Sequence, residues 1–122
     1  MENSIKLIIP GELPDLNQII KASKSHYRAY SKLKKENTDL IHYLVKKTPK
    51  MERISLNITW YCKDKRKDKD NISVGIKFIL DGLVKAGVIE NDGWKQIENF
   101  THRFEVDKKN PRIEIELIEN IE

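Results

Sequence analysis

At 122 residues the chain suits a single domain, residues 1–122, long enough to bury a core and too short for several. An apolar fraction of 39% beside 34% charged residues describes a soluble globular chain, and no apolar run approaches the ~20 residues of a membrane span. The net charge of +4 favours an acidic partner, nucleic acid being the commonest.

The charge is uneven. From Arg112 onward one arginine faces Glu114, Glu116, Glu119 and Glu122, so the positive potential belongs mainly to residues 21–69. The single cysteine, Cys62, excludes an internal disulfide and a cysteine zinc site, and suits a reducing cytoplasm. The opening residues MENSIKLIIPGELP lack a basic start and a long apolar centre, which predicts no secretion signal.

In chain order, SIKLII alternates Ile5, Leu7 and Ile9 with Lys6 and predicts a strand ended by Pro10-Gly11. Residues 11–24 read as irregular, with Pro14 and Asn17 as turn signals. Between Ser25 and Lys47, Tyr30, Leu33, Leu40, Ile41 and Leu44 recur at helical spacing, with a polar middle that is half exposed or broken. The clearest strand is RISLNITWYC, with Ile54, Leu56, Ile58 and Trp60 on one face. A helix is predicted from Asp70 as N-cap to Gly87 as C-terminal glycine, with Ile72, Ile76, Ile79, Leu80 and Leu83 inward. Two strands follow, NFTHRFEVD and PRIEIELIE, expected to form an antiparallel pair about Lys109-Asn110-Pro111. The fold class is therefore α/β (α+β): a single mixed sheet with two main helices, in the order β-α-β-α-β-β.

The segment KDKRKDKDNI, residues 63–72, mixes five cations with Asp64, Asp68 and Asp70. Lys63, Lys65, Arg66, Lys67 and Lys69 suit a phosphate backbone. Asp68 and Asp70, two apart in an extended segment, point to one side and offer a hard cation such as Mg²⁺ its oxygen ligands. On this reading the bases collect a polyanion and the acids hold the metal that cuts it. The competing reading is a solvated loop with Asp70 merely capping a helix. Positions 70, 74, 77 and 81 form one helical stripe, so Lys77 either stabilises charge developing on phosphorus or pairs with Asp81. Asp92, in ENDG, is turn chemistry, and periodicity does not say whether it returns to the first cluster.

The block KRKDKDNISVGIKFILDGLVKAGVIENDGWKQI, residues 65–97, resembles the RusA family of Holliday-junction resolvases, many carried by phages and prophages. The matching elements are the basic run, Asp68-Lys69-Asp70-Asn71, Lys77, Leu80-Asp81-Gly82-Leu83, Ala86-Gly87 and Asn91-Asp92; Pro14 to Asn17 loosely matches a family segment near the N-terminus. The resemblance implies a RusA-like fold, a Mg²⁺ site of Asp68, Asp70 and Asp92 (Mn²⁺ able to substitute), and Lys77 as the essential lysine. Two departures stand out: the family lysine falls one turn sooner, where this chain has Val74, and the acidic pair is reduced to Asn91-Asp92.

The expected activity is Mg²⁺-dependent cleavage of four-way DNA junctions by paired symmetric nicks, in recombination and repair. One acidic cluster makes one nick, so two matched nicks require a two-fold homodimer. The alternatives are a catalytically impaired, structure-selective DNA-binding protein, or a nuclease for flaps, forks or RNA. His26, His42 and His102 lack metal spacing, and His102 reads as a packed or edge residue. Tyr27 and Tyr30 read as core, Trp94 as structural or a subunit contact, and Cys62 as buried and inert.

Overall fold

The computed structural model describes residues 3–120. Its strands are β1 (Asn3–Pro10), β2 (Ile54–Cys62), β3 (Ile97–Val106) and β4 (Arg112–Glu119); its helices are α1 (Leu16–Ser25), α2 (Tyr27–Val45), α3 (Lys69–Ser73) and α4 (Ile76–Lys85). The four strands make one mixed sheet in the order β1-β4-β2-β3. Strand β4 runs antiparallel to both β1 and β2, and β2 runs parallel to β3. This is the expected α+β class with a mixed sheet.

Alternation decides which face is inside. In register, Ile9 lies across from Ile113, Ile58 from Ile115, Leu56 from Leu117 and Trp60 from Ile113, and all of them are buried. Against this face pack Ile41 and Val45 of α2 and Phe78, Ile79 and Leu83 of α4. The opposite face is polar, with Lys6 2.7 Å from Glu114 and the Asn57 amide donating to Glu116. Helices α2 and α4 meet closely at Gly82, where a Cβ would fall 2.4 Å from Ile41. Only glycine permits that approach. The end of α4 follows the expected signal: Gly87 has φ +74°, and its N–H and that of Val88 bond back to Val84 and Leu83.

Several expectations need correction. Residues 11–24 are not irregular throughout, because α1 begins at Leu16 behind an Asp15 N-cap whose carboxylate accepts from Gln18 while the Gln18 side chain accepts from Asp15 N–H. The polar middle of α2 is half exposed and unbroken, the first of the two expected outcomes, and the helix begins at Tyr27 behind His26, whose ring caps it. Tyr27, expected in the core, is exposed.

The helix expected from Asp70 to Gly87 is two helices, joined by a tight turn at Val74-Gly75 with bonds three residues back. The turn presses Gly75 onto Trp60, where a Cβ would sit 3.0 Å from the indole. Asp68, not Asp70, holds the N-cap position of α3. Finally, β3 and β4 do not pair. The α3–α4 crossover returns the chain parallel to β2, so β3 takes one edge of β2 and β4 the other. Among the described residues no helix is long and apolar enough to cross a membrane.

Candidate nucleic-acid and metal site

Strand β2 ends at Cys62 and releases the chain into the charged segment 63–68 at the edge of the core. Cys62 is buried, and burial pushes its thiol pKa up, which keeps it unreactive. Lys63, Lys65, Arg66 and Lys69 are exposed. Arg66 lies 3.6 Å from Asp64, which also accepts the Arg66 N–H, and the Lys69 ammonium stands 5.8 Å over the Phe104 ring. Lys67 differs from the other four: it is half-buried and 2.9 Å from the carboxylate of Asp15.

That ion pair ties the segment to the first helix. Asp15 is only 6% exposed. Burial pushes its pKa up, but the Gln18 N–H and Lys67 outweigh this and hold it below the ordinary 3.8. The Asp15 bond in turn raises the Lys67 pKa above 10.5. On the other side of the two acids, Asn71 accepts the backbone N–H of Asn17 at 3.1 Å. Residues 68–70 are therefore pinned on both flanks by the capping turn of α1, through Lys67 before Asp68 and Asn71 after Asp70. Asp15, Asn17 and Asn71 were not foreseen in this role. The signal was present in Asp15-Leu16-Asn17-Gln18, a capping-box spacing that turn residues obscured.

The acids themselves are left open. Asp68 occupies the N-cap of α3 yet makes no capping bond with its side chain. Among the described residues the Asp70 carboxylate accepts only the adjacent Asn71 N–H, at 3.0 Å. Asp92 lies exposed in the connection after α4, its own N–H donating to Asn91. Of the eight aspartates in the chain, Asp15, Asp39, Asp64, Asp81 and Asp107 each pair with a lysine or arginine. Asp68, Asp70 and Asp92 do not, among the described residues, although five cations, Lys63, Lys65, Arg66, Lys67 and Lys69, share the segment with Asp68 and Asp70.

Their oxygens are the donors that Mg²⁺ prefers, and Mg²⁺ needs only one or two carboxylates, completing its shell with water and phosphate. Donor chemistry therefore fits the cation. The described residues contain no group of three or more His, Cys, Asp or Glu side chains arranged to hold a metal. Asp92 is thus not gathered with Asp68 and Asp70 into a ready three-carboxylate cage.

Lys77 is in the first turn of α4 and exposed, its ammonium a long 3.9 Å from Asp81, which also faces Lys34 at 3.8 Å. The continuous stripe expected through 70, 74, 77 and 81 is interrupted by the turn at Val74-Gly75. His102 is a packed residue: its Nδ1 accepts from the Trp60 indole N–H at 2.9 Å, and burial pushes its pKa down.

A pinned acidic pair beside exposed cations, on a mixed α+β domain, is an arrangement suited to a divalent cation and a phosphate backbone. The family model described as endodeoxyribonuclease RusA matches residues 15–118. The chain belongs to that family, whose members are Holliday-junction-resolving endonucleases and typically depend on a divalent metal. No curated protein matches the chain.

Proposed function

We propose that this chain, as one RusA-like domain over residues 1–122, resolves four-way DNA junctions by paired symmetric nicks in a Mg²⁺-dependent reaction of recombination and repair. The observation that carries the proposal is that Asp68, Asp70 and Asp92 alone among the aspartates stay unpaired with lysine or arginine among the described residues, two of them inside the most basic segment. An acid left unpaired beside so many cations keeps its oxygens for another ligand. Asp68 and Asp70, with Asp92, hold the cation in this reading. Bound there, Mg²⁺ (or Mn²⁺ in its place) supplies Lewis-acid chemistry at a phosphodiester.

Lys63, Lys65, Arg66 and Lys69 contact the DNA backbone, which gives affinity and salt dependence without sequence reading. Lys67 contributes charge from its ion pair with Asp15 and keeps the acids in position. Lys77, held only at 3.9 Å from Asp81, reaches toward the phosphate and stabilises the charge that develops there. Two nicks require two chains, and β3 supports a two-fold homodimer: among the described residues it is an unpaired edge of the sheet with Phe100 and Val106 exposed.

A labelled four-way junction and a matched linear duplex, each with Mg²⁺ or EDTA, test the reading with the wild type and Asp70→Asn. The expected result is paired symmetric nicks in the junction alone, lost in EDTA and in the variant. Tight junction binding without cleavage in any divalent metal overturns the enzyme. It would leave the second reading, a junction-binding protein without turnover, which draws on the lack of three convergent carboxylates among the described residues.

A further inference from the structure

Only two tryptophans occur in the chain, and their surroundings are opposite. Trp60 is 3% exposed in the core, whereas Trp94 is 96% exposed. Tryptophan is among the most buried residue types on average, so an almost wholly solvated indole calls for a cause. Trp94, expected to be structural or at a subunit contact, is not packed within the chain, nor is it carried on loose backbone. The Gln96 and Ile97 N–H groups bond to Gly93 at 3.2 and 3.0 Å, and the Ile54 N–H bonds to Gln96 at 2.8 Å. The Arg53 guanidinium donates to the carbonyls of Trp94 and Lys95 at 3.4 and 3.0 Å. The turn is therefore fixed while its largest side chain points into water. Fixing the backbone beforehand lowers the cost of ordering a contact.

We infer that Trp94 is a stacking residue for DNA, its indole lying on a nucleobase exposed at the branch point of the substrate. This rests on the junction-resolving reading above. Three observations select a base over a protein surface. The residues flanking Trp94 along the chain, Asn91, Asp92, Gly93 and Lys95, are all exposed and none is apolar, whereas a protein docking face needs a contiguous apolar centre. A single aromatic ring among polar neighbours suits a base, since every base offers a π-face. Trp94 also follows Asp92 by two residues, so the two α-carbons lie at most about 7 Å apart. The ring is carried next to a carboxylate assigned to the metal, with exposed Lys95 beside it for a phosphate. In continuous duplex the π-faces of bases are covered by their neighbours. At a branch the terminal pairs lose that cover, so stacking favours the junction over linear DNA.

The protein carries its own reporter, because Trp60 is shielded and Trp94 is not. Junction and duplex are titrated in EDTA while acrylamide quenching of tryptophan emission is followed. Affinities of Trp94→Ala and Trp94→Phe are measured by anisotropy of labelled DNA. The expected result is that junction, and not duplex, shields Trp94 from acrylamide. Trp94→Ala then binds the junction about tenfold more weakly with duplex affinity unchanged, and Trp94→Phe recovers most of the loss.

Equal junction affinity in Trp94→Ala, an equal loss on junction and duplex, or an indole as accessible in the complex as in free protein overturns the proposal. Shielding that grows with protein concentration in the absence of DNA overturns it in favour of a second copy of this chain. A wild type without junction preference overturns the junction-resolving reading, and this inference with it. A junction-to-duplex affinity ratio undiminished in Trp94→Ala overturns the inference alone.

Discussion

The corner where α1 meets α3 and the turn at residues 90–96 both present carboxylates to solvent, and they are held by different kinds of bond. At the corner, side chains distant in sequence do the holding: Lys67 to Asp15, and Asn71 to the backbone of Asn17. At the turn, main-chain bonds to Gly93 and the Arg53 guanidinium on two carbonyls fix the chain. The corner therefore depends on the ionisation of one buried acid, whereas the turn's own backbone bonds carry no titrating group. Both regions leave their acids, Asp68 and Asp70 in one and Asp92 in the other, without a lysine or arginine partner among the described residues. A scaffold held through a buried acid in one place and through bonds to main-chain carbonyls in the other makes the contributions of the two regions separable by experiment.

The largest effect is expected from the acids themselves. Asp68→Asn and Asp70→Asn each lower junction cleavage by about 100-fold or more, with thermal melting unchanged, because a neutral amide binds Mg²⁺ poorly. Asp92→Asn is expected to match them in the same single-turnover assay. A fall of less than about threefold would separate the turn from the chemistry and leave a two-carboxylate site.

An intermediate effect comes from cutting each anchor. Asp15→Ala removes a helix cap and strands half-buried Lys67, at a cost of about 1–3 kcal/mol in urea unfolding. Cleavage falls with it, since residues 68–70 lose one of their two pins. Arg53→Met releases only hydrogen bonds and an ion pair to Glu98 at the surface, at about 1 kcal/mol or less. If both variants lost stability equally, the distinction between the two regions would fail.

The smallest effect is a pH dependence, and its sign follows from the shifts. Asp15 has a pKa below 3.8 in the fold, so its contribution is complete above that value and is lost as pH falls through the lower, folded value. Lys67 is raised above 10.5, so its contribution is complete below that value and is lost only as pH rises past the folded one. The stability difference between wild type and Asp15→Asn should stay flat from pH 5 to 9 and shrink below about pH 4. A difference already shrinking at pH 6 would place the control in another group.

How far local pattern reaches can be judged from single elements. The inward faces of β1, β2 and β4 follow from alternation alone, because Ile9, Leu56 and Ile115 need only their own neighbours to declare a side. Gly87 likewise announces the end of α4, since a positive φ is a property of one residue. The hairpin expected about Lys109-Asn110-Pro111 failed for the complementary reason: turn residues bring strands near but do not say which strand fills the space between them. The interruption at Val74-Gly75 could not be read from helical periodicity either, because it answers to the Trp60 ring, 15 residues before Gly75.

The same division runs through the candidate site. The residue types and their order, from Asp68 and Asp70 through Lys77 to Asp92, were enough to point to the RusA family, because ligand chemistry resides in the side chains themselves. By itself the sequence determined the strand faces, the mixed α+β class and the kind of chemistry its acids and bases can carry. Only the tertiary structure decided that Lys67 turns inward to Asp15 while its neighbours stay in solvent, that Asn17 grips Asn71, and that one of two tryptophans stands in water. Those outcomes depend on which distant segments meet once the sheet and helices pack, and desolvation and hydrogen bonding at such meetings have no local signature.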